Sequence, residues 1–206
     1  MYFKNFGEFN LEEKNKEMKK YLILFAILPI LAFAQSNSKT ALLLIDIQDF
    51  YFPGGNSALV EPEASADKAA QLLKVFRDKK QTVIHIRHDY EPGGNIHSLV
   101  GPISGEKVIT KKEVNSYKNT DLLAYLQANK IDTLVLAGMQ THLCLEAAVR
   151  ASYDYDFICI VIDDACATKD LVYNNFTIKA KEVHQSTLHS LRSYAKIFKL
   201  EEYLRL

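Results

Sequence analysis

The hydrophobic pattern of the chain is dominated by four apolar runs of strand length. They are ALLLIDI (41–47), TVIHIRH (82–88), TLVLAG (133–138) and FICIVID (157–163), and KVI (107–109) is a shorter fifth. Their Val, Ile and Leu residues are nearly continuous instead of alternating with polar ones. This is typical of strands that are buried on both faces of a parallel sheet.

Helical periodicity separates these runs. Apolar residues recur three and four positions apart, and the segments with this pattern cover residues 63–80, 119–130, 144–154 and 181–195. Strands that alternate with helices favour an α/β fold with right-handed crossovers. We therefore predict a three-layer αβα domain over residues 40–206, built on a doubly wound, mainly parallel sheet. The Gly- and Pro-containing connection 89–106 is long enough to belong to a site.

The first 34 residues carry a different pattern. Lys19 and Lys20 precede an apolar stretch, and small residues at 32–34 resemble a signal-peptidase site. The stretch is shorter than the ~20 residues of a membrane-spanning helix, although a retained anchor is the alternative. We predict a signal peptide at 18–34, a non-native upstream extension at 1–17 and an exported protein. Without the signal, the protein would be cytoplasmic.

Charge and cysteine content argue against several classes of function. The formal net charge is zero, which argues against nucleic-acid binding. Three cysteines are present and no CxxC pair occurs, so neither a dithiol redox motif nor a zinc motif is indicated. Cys159 lies inside an apolar run and Cys166 just beyond it, where both are expected to be packed, unreactive thiols.

Three polar residues lie where the predicted strands end, at the edge where open parallel sheets bind ligands. Asp46 closes the first run, Lys111 follows KVIT, and Cys144 follows the third run. The alternatives are a turn aspartate, a solvated lysine and a packed cysteine. If Thr141 caps the next helix, Cys144 lies in its first turn, where the helix dipole favours a thiolate. A thiol nucleophile, a carboxylate base and a lysine that holds the carboxylate would together support acyl transfer.

The segments LLLIDIQDFYF, VITKKEVNSYKNTDLLAYL and LVLAGMQTHLCLEAAVRASYDYDF resemble three blocks of the isochorismatase-like cysteine hydrolases, in the same order and spacing. The resemblance covers roughly residues 40–195. It implies an Asp46–Lys111–Cys144 triad and a cis peptide between Met139 and Gln140. It also implies an oxyanion hole formed by the backbone N–H groups of Gln140 and Cys144.

The resemblance leaves the substrate open, and the expected reaction is hydrolysis of a small amide-type C–N bond. Candidate pocket residues are Gln48, Phe52, His88, His97 and Tyr117. The Asp-x-His pair of metal-binding relatives is absent, so no metal or other cofactor is expected; His88, Asp89 and His97 are the alternative ligands. The expected partner is a small molecule, with a homo-oligomeric assembly, no nucleic acid and no stable membrane insertion. A non-catalytic binding or oligomerisation module of the same fold is the competing hypothesis.

Overall fold

The computed structural model describes residues 39–206. The predicted upstream extension and signal peptide lie outside these residues. Within the described part of the chain, no helix combines the length and the apolarity needed to cross a bilayer.

Eight strands and five α-helices follow one another along the described residues. The strands are β1 (Thr40–Ile45), β2 (Thr82–His88), β3 (Lys107–Lys111), β4 (Thr133–Met139), β5 (Ile158–Ala167), β6 (Leu171–Tyr173), β7 (Phe176–Ile178) and β8 (Ala195–Phe198). The helices are α1 (Pro62–Asp78), α2 (Leu122–Ala128), α3 (Glu146–Asp154), α4 (Ala180–Leu191) and α5 (Leu200–Tyr203).

Six strands form one parallel sheet in the order β3-β2-β1-β4-β5-β8. One face packs against α1 and α5, and the other packs against α2, α3 and α4. Residues 41–45 of β1 are all at most 2% exposed, as expected for a central strand that is covered on both faces. The predicted three-layer, doubly wound architecture is confirmed.

Each covering helix buries the apolar face that its sequence period predicts. In α1, Leu72, Leu73 and Phe76 are at most 1% exposed against the sheet. Pro62 occupies the start of this helix, where the missing N–H costs nothing. Truncation of Phe76 to alanine would cost about 3–5 kcal/mol, because the surrounding layer closes only partly over a cavity of that size.

Several predicted boundaries were wrong. The segment 181–195 was predicted as one helix, but the helix ends at Leu191 and Ala195 begins the edge strand β8. β3 extends to Lys111 instead of ending at residue 109, and β5 extends to Ala167. The short antiparallel hairpin β6–β7 was not predicted. Both β8 and this hairpin are short and partly exposed, so they lack the long apolar run that identifies the central strands.

Candidate active site

The sheet order brings the ends of three strands together around one crevice. The chain proceeds from β1 to β2 on one side and reaches β4 on the other, so the order reverses between β1 and β4. Asp46 directly follows β1, and Cys144 lies in the turn that follows β4. Lys111 is the last residue of β3, two strands away from β1, and its long side chain crosses the end of β2. The reversal point of an open α/β sheet is where such folds bind ligands.

The backbone at Asp46 is held in a conformation that few residues adopt. Its φ is +50°, in the left-handed region, where aspartate is tolerated better than most residues. Its N–H donates to the Ile86 carbonyl at 2.9 Å, which ties the turn to β2. Residues in this region carry a conformational cost of about 1–3 kcal/mol and concentrate at functional sites.

The turn that carries Cys144 begins with a glycine, and any other residue at this position would force the neighbouring backbone to shift. Gly138 has φ +140°, and an added Cβ would lie 2.0 Å from the Ile45 carbonyl oxygen. The Met139–Gln140 peptide bond that follows is cis, at the position implied by the family resemblance. A π-helical turn then runs from Thr141 to Leu145, before α3 begins at Glu146.

The predicted capping role of Thr141 was therefore wrong, because Thr141 is already the first residue of the π-helical turn. Its buried hydroxyl donates to the Ala167 carbonyl at 3.2 Å and lies 2.9 Å from Nδ1 of His184. Nε2 of His184 in turn lies 2.7 Å from Asp163. These contacts fix the turn to the end of β5 and to α4. This link could not be predicted from the sequence, because its members come from three distant segments.

Lys111 joins the other two predicted side chains directly. Its Nζ donates to Oδ2 of Asp46 at 2.7 Å and to Sγ of Cys144 at 3.3 Å. Nζ also lies 3.2 Å from Nδ1 of His88. Asp46 and Lys111 are at most 1% exposed and Cys144 is 6% exposed, whereas His88 is half-buried. The other oxygen of Asp46, Oδ1, has no hydrogen-bond partner among the described residues.

Burial controls the protonation of this cluster. It raises the pKa of the Cys144 thiol to about 12, and the nearby Asp46 carboxylate adds to the effect while Lys111 opposes it. Burial likewise raises the pKa of Asp46, although the Lys111 ammonium partly offsets the shift. The helix start was predicted to favour a thiolate, and burial opposes that preference. Desolvation disfavours the charged form more strongly than a five-residue turn favours it.

The other two cysteines show which feature distinguishes Cys144. Burial also raises the pKa of Cys159 to about 12 and that of Cys166 still further. Their thiols face backbone carbonyls, of Val149 and Phe157 for Cys159 and of Ile162 for Cys166. Cys144 is the thiol that receives an N–H from an ammonium group, so its environment can stabilise a thiolate once one forms.

The predicted pocket residues have mixed positions. The Gln48 amide is fully buried and bonded to the backbone of His88 and Gly94, and the Tyr117 hydroxyl bonds Ser152 at 2.7 Å inside the core. Phe52 and His97 stack on each other, with ring centroids 3.7 Å apart. His88 is the pocket residue that contacts the triad.

Tyr51 was not identified from the sequence, yet it lies beside the cluster. Its hydroxyl accepts a hydrogen bond from Nε2 of Gln140 at 3.3 Å. Burial raises the pKa of Tyr51, the Gln140 hydrogen bond opposes this shift, and the electrostatic interactions with Asp46 and Cys144 add to it. Nothing in the segment DFYF distinguishes this tyrosine from the flanking phenylalanines, because all three aromatic rings are buried.

The alternative metal ligands do not converge. His88 contacts Lys111, Asp89 lies 3.8 Å from Lys112, and His97 stacks on Phe52. Among residues 39–206, the one group of His, Cys, Asp and Glu side chains close enough to share an ion is Asp46, His88 and Cys144. The Lys111 ammonium lies within 3.3 Å of all three donor atoms and so occupies the place of a cation.

The chain resembles known proteins over most of its described residues. The model of the isochorismatase domain matches residues 40–193. The uncharacterized isochorismatase family protein YddQ of Bacillus subtilis is 39% identical over 178 residues, covering 81% of this chain and 99% of the relative. Maleamate amidohydrolase of Pseudomonas putida is 30% identical over 149 residues, covering 60% and 70%. A crystal structure of an isochorismatase hydrolase from Oleispira antarctica has a TM-score of 0.79 and 38% identity, covering 82% and 98%.

Proposed function

Because this chain belongs to the isochorismatase family of hydrolases, we propose that it cleaves the C–N bond of a small amide-type substrate through a thioester on Cys144. The observation that carries the proposal is the Lys111 ammonium, which bonds the Asp46 carboxylate and the Cys144 sulfur at once. The relation to maleamate amidohydrolase supports the choice of an amide.

The raised pKa values of both groups suit a proton transfer that conserves charge. Asp46 ionised with Cys144 neutral has the same net charge as Asp46 neutral with Cys144 ionised. Lys111 contacts both groups, so its ammonium stabilises either arrangement. Burial therefore penalises both states of the pair similarly, and the proton can move from sulfur to the unpartnered Oδ1 of Asp46.

In the proposed cycle, Asp46 takes the thiol proton and the sulfur attacks the amide carbonyl carbon. The backbone N–H groups of Gln140 and Cys144 stabilise the oxyanion. The C–N bond breaks, and the departing amine takes the proton from Asp46. Water then attacks the thioester and gives a proton to Asp46. The C–S bond breaks, the acid is released, and Asp46 returns the proton to sulfur.

The test is ammonia release from a panel of small primary amides that includes maleamate. We expect turnover by the wild type and a loss of about 1,000-fold or more in Cys144→Ala, because the nucleophile is removed. Cys159→Ala is the matched control, since that thiol faces the Val149 and Phe157 carbonyls and not the Lys111 ammonium. Intact-mass analysis after rapid quenching should show an acyl adduct on the wild type and on Cys159→Ala, and none on Cys144→Ala. Equal turnover by wild type and Cys144→Ala would refute the proposal.

A further inference from the structure

We infer that His88 is a positioning residue of this site, whose neutral ring accepts the third N–H of the Lys111 ammonium and keeps that group between Asp46 and Cys144. The inference rests on the proposed function for its catalytic consequence. The contact itself stands on geometry: Nζ of Lys111 lies 3.2 Å from Nδ1 of His88.

The first argument is the number of hydrogen bonds that Lys111 must make. An ammonium group has three N–H donors and no acceptor. Lys111 is 1% exposed, and its three close partners are Asp46, Cys144 and His88. Without the ring, one N–H of a buried cation would lose its partner, and a group in that position moves to recover one. Movement away from the other two partners would weaken the link between base and nucleophile.

The second argument is that hydrogen bonds to the His88 backbone hold the ring in place. Oε1 of Gln48 accepts the His88 N–H at 2.7 Å, and Nε2 of Gln48 donates to the His88 carbonyl at 2.9 Å. His88 is also the register partner of Lys111 across the β2–β3 pair. The buried amide of Gln48 therefore fixes the chain at the point where the ring meets the ammonium. These two hydrogen bonds involve only backbone atoms of His88, so we expect them to remain when the His88 side chain is changed.

The third argument is the charge of the ring. Burial lowers the pKa of His88, and the neighbouring Lys111 lowers it further, while Asp46, Asp89 and Glu113 oppose the shift. The ring is therefore neutral at neutral pH. The Lys111 ammonium can only donate, so Nδ1 is the acceptor and Nε2 carries the proton. His88 lies on the half-buried side of the cluster. As a neutral acceptor, its ring gives the Lys111 ammonium a third partner and adds no second anion that would compete with Asp46.

Two substitutions separate the acceptor from the rest of the side chain. His88→Leu removes the acceptor, whereas His88→Asn places a carbonyl oxygen close to the position of Nδ1. We expect kcat to fall about tenfold or more in His88→Leu, with KM little changed, and to recover to within about threefold of wild type in His88→Asn. His189→Asn, on the exposed surface of α4, is the matched control. Wild-type kcat in His88→Leu, or equal losses in both variants, would overturn the acceptor role.

A second readout does not depend on turnover. Nitrogen NMR of the histidine rings should show His88 protonated on Nε2 alone at neutral pH. In Lys111→Met the pKa of His88 should rise, because the neighbouring cation is gone. An unchanged His88 titration in Lys111→Met would overturn the contact. If no amide is hydrolysed by any form of the protein, the proposed function fails while this measurement still decides the contact.

Discussion

Two groups of charged side chains lie at opposite ends of β3, and their carboxylates have opposite hydrogen-bonding environments. Glu106 lies just before the strand. Its carboxylate accepts hydrogen bonds from the Arg77 guanidinium and the Ile103 N–H and contacts Nε2 of His85, with all distances between 2.7 and 2.9 Å. Asp46, near the other end, has one lysine partner on Oδ2 and none on Oδ1 within the described residues. One carboxylate is saturated with donors, and the other keeps an oxygen free.

The pKa values follow from this difference. Burial alone would raise the pKa of Glu106, but its donors outweigh burial and hold the pKa at about 2. At Asp46 the single ammonium does not outweigh burial, and the pKa is raised. A carboxylate that must accept a proton needs a raised pKa and a free oxygen, whereas a carboxylate that fixes a fold needs neither. The comparison therefore assigns Glu106 to stability and supports Asp46 as a base.

The largest expected effect is on turnover when Asp46 becomes an amide. Asp46→Asn keeps the shape but removes the proton acceptor, so kcat/KM should fall by about 1,000-fold. The free energy of unfolding at pH 7 should stay the same or rise, because a carboxylate with a raised pKa is costly to ionise in the folded state. Amide-hydrolysis kinetics and urea denaturation measure the two quantities. Retained turnover, or a loss of several kcal/mol in stability, would place Asp46 with the structural group.

The central sheet and the positions of the three site residues could be predicted from the sequence. Nearly continuous apolar runs identify strands covered on both faces, and the polar residue after each run marks the sheet edge where ligands bind. Asp46, Lys111 and Cys144 stand out for that reason. His85 lies within the second apolar run, and it is 1% exposed with Nε2 bonded to Glu106.

What could not be predicted depends on contacts between distant segments. The raised pKa of Cys144 results from burial by the whole fold, which local helix-start chemistry does not reveal. The contact of His88 with Lys111 depends on the β2–β3 register. The contact of the Tyr117 hydroxyl with Ser152 of α3 likewise joins two distant segments in the core.

The second effect concerns stability and uses the matching change at the other end of β3. Glu106→Gln keeps the volume but removes the charge, and its NH₂ group can no longer accept from the donors around it. We expect a loss of about 2 kcal/mol in the free energy of unfolding at pH 7. Turnover per folded molecule should stay within about twofold of wild type, because Glu106 contacts no residue of the candidate site. Urea denaturation and kinetics on the same preparation test both parts.

The smallest expected effect is the pH dependence that separates the two carboxylates. Glu106 has a folded pKa of about 2, below its ordinary value of 4.5, so its stabilisation is complete above pH 4.5 and is lost as the pH falls toward 2. The stability difference between wild type and Glu106→Gln should therefore shrink over that range, by about 1 kcal/mol for each pH unit.

Asp46 has a raised folded pKa, so its ionisation costs stability as the pH rises above 3.8. Relative to wild type, Asp46→Asn should therefore gain stability as the pH rises. Urea titrations of all three proteins between pH 3 and pH 7 measure both trends, and parallel curves for the two variants would contradict the distinction between a saturated and an unsaturated carboxylate.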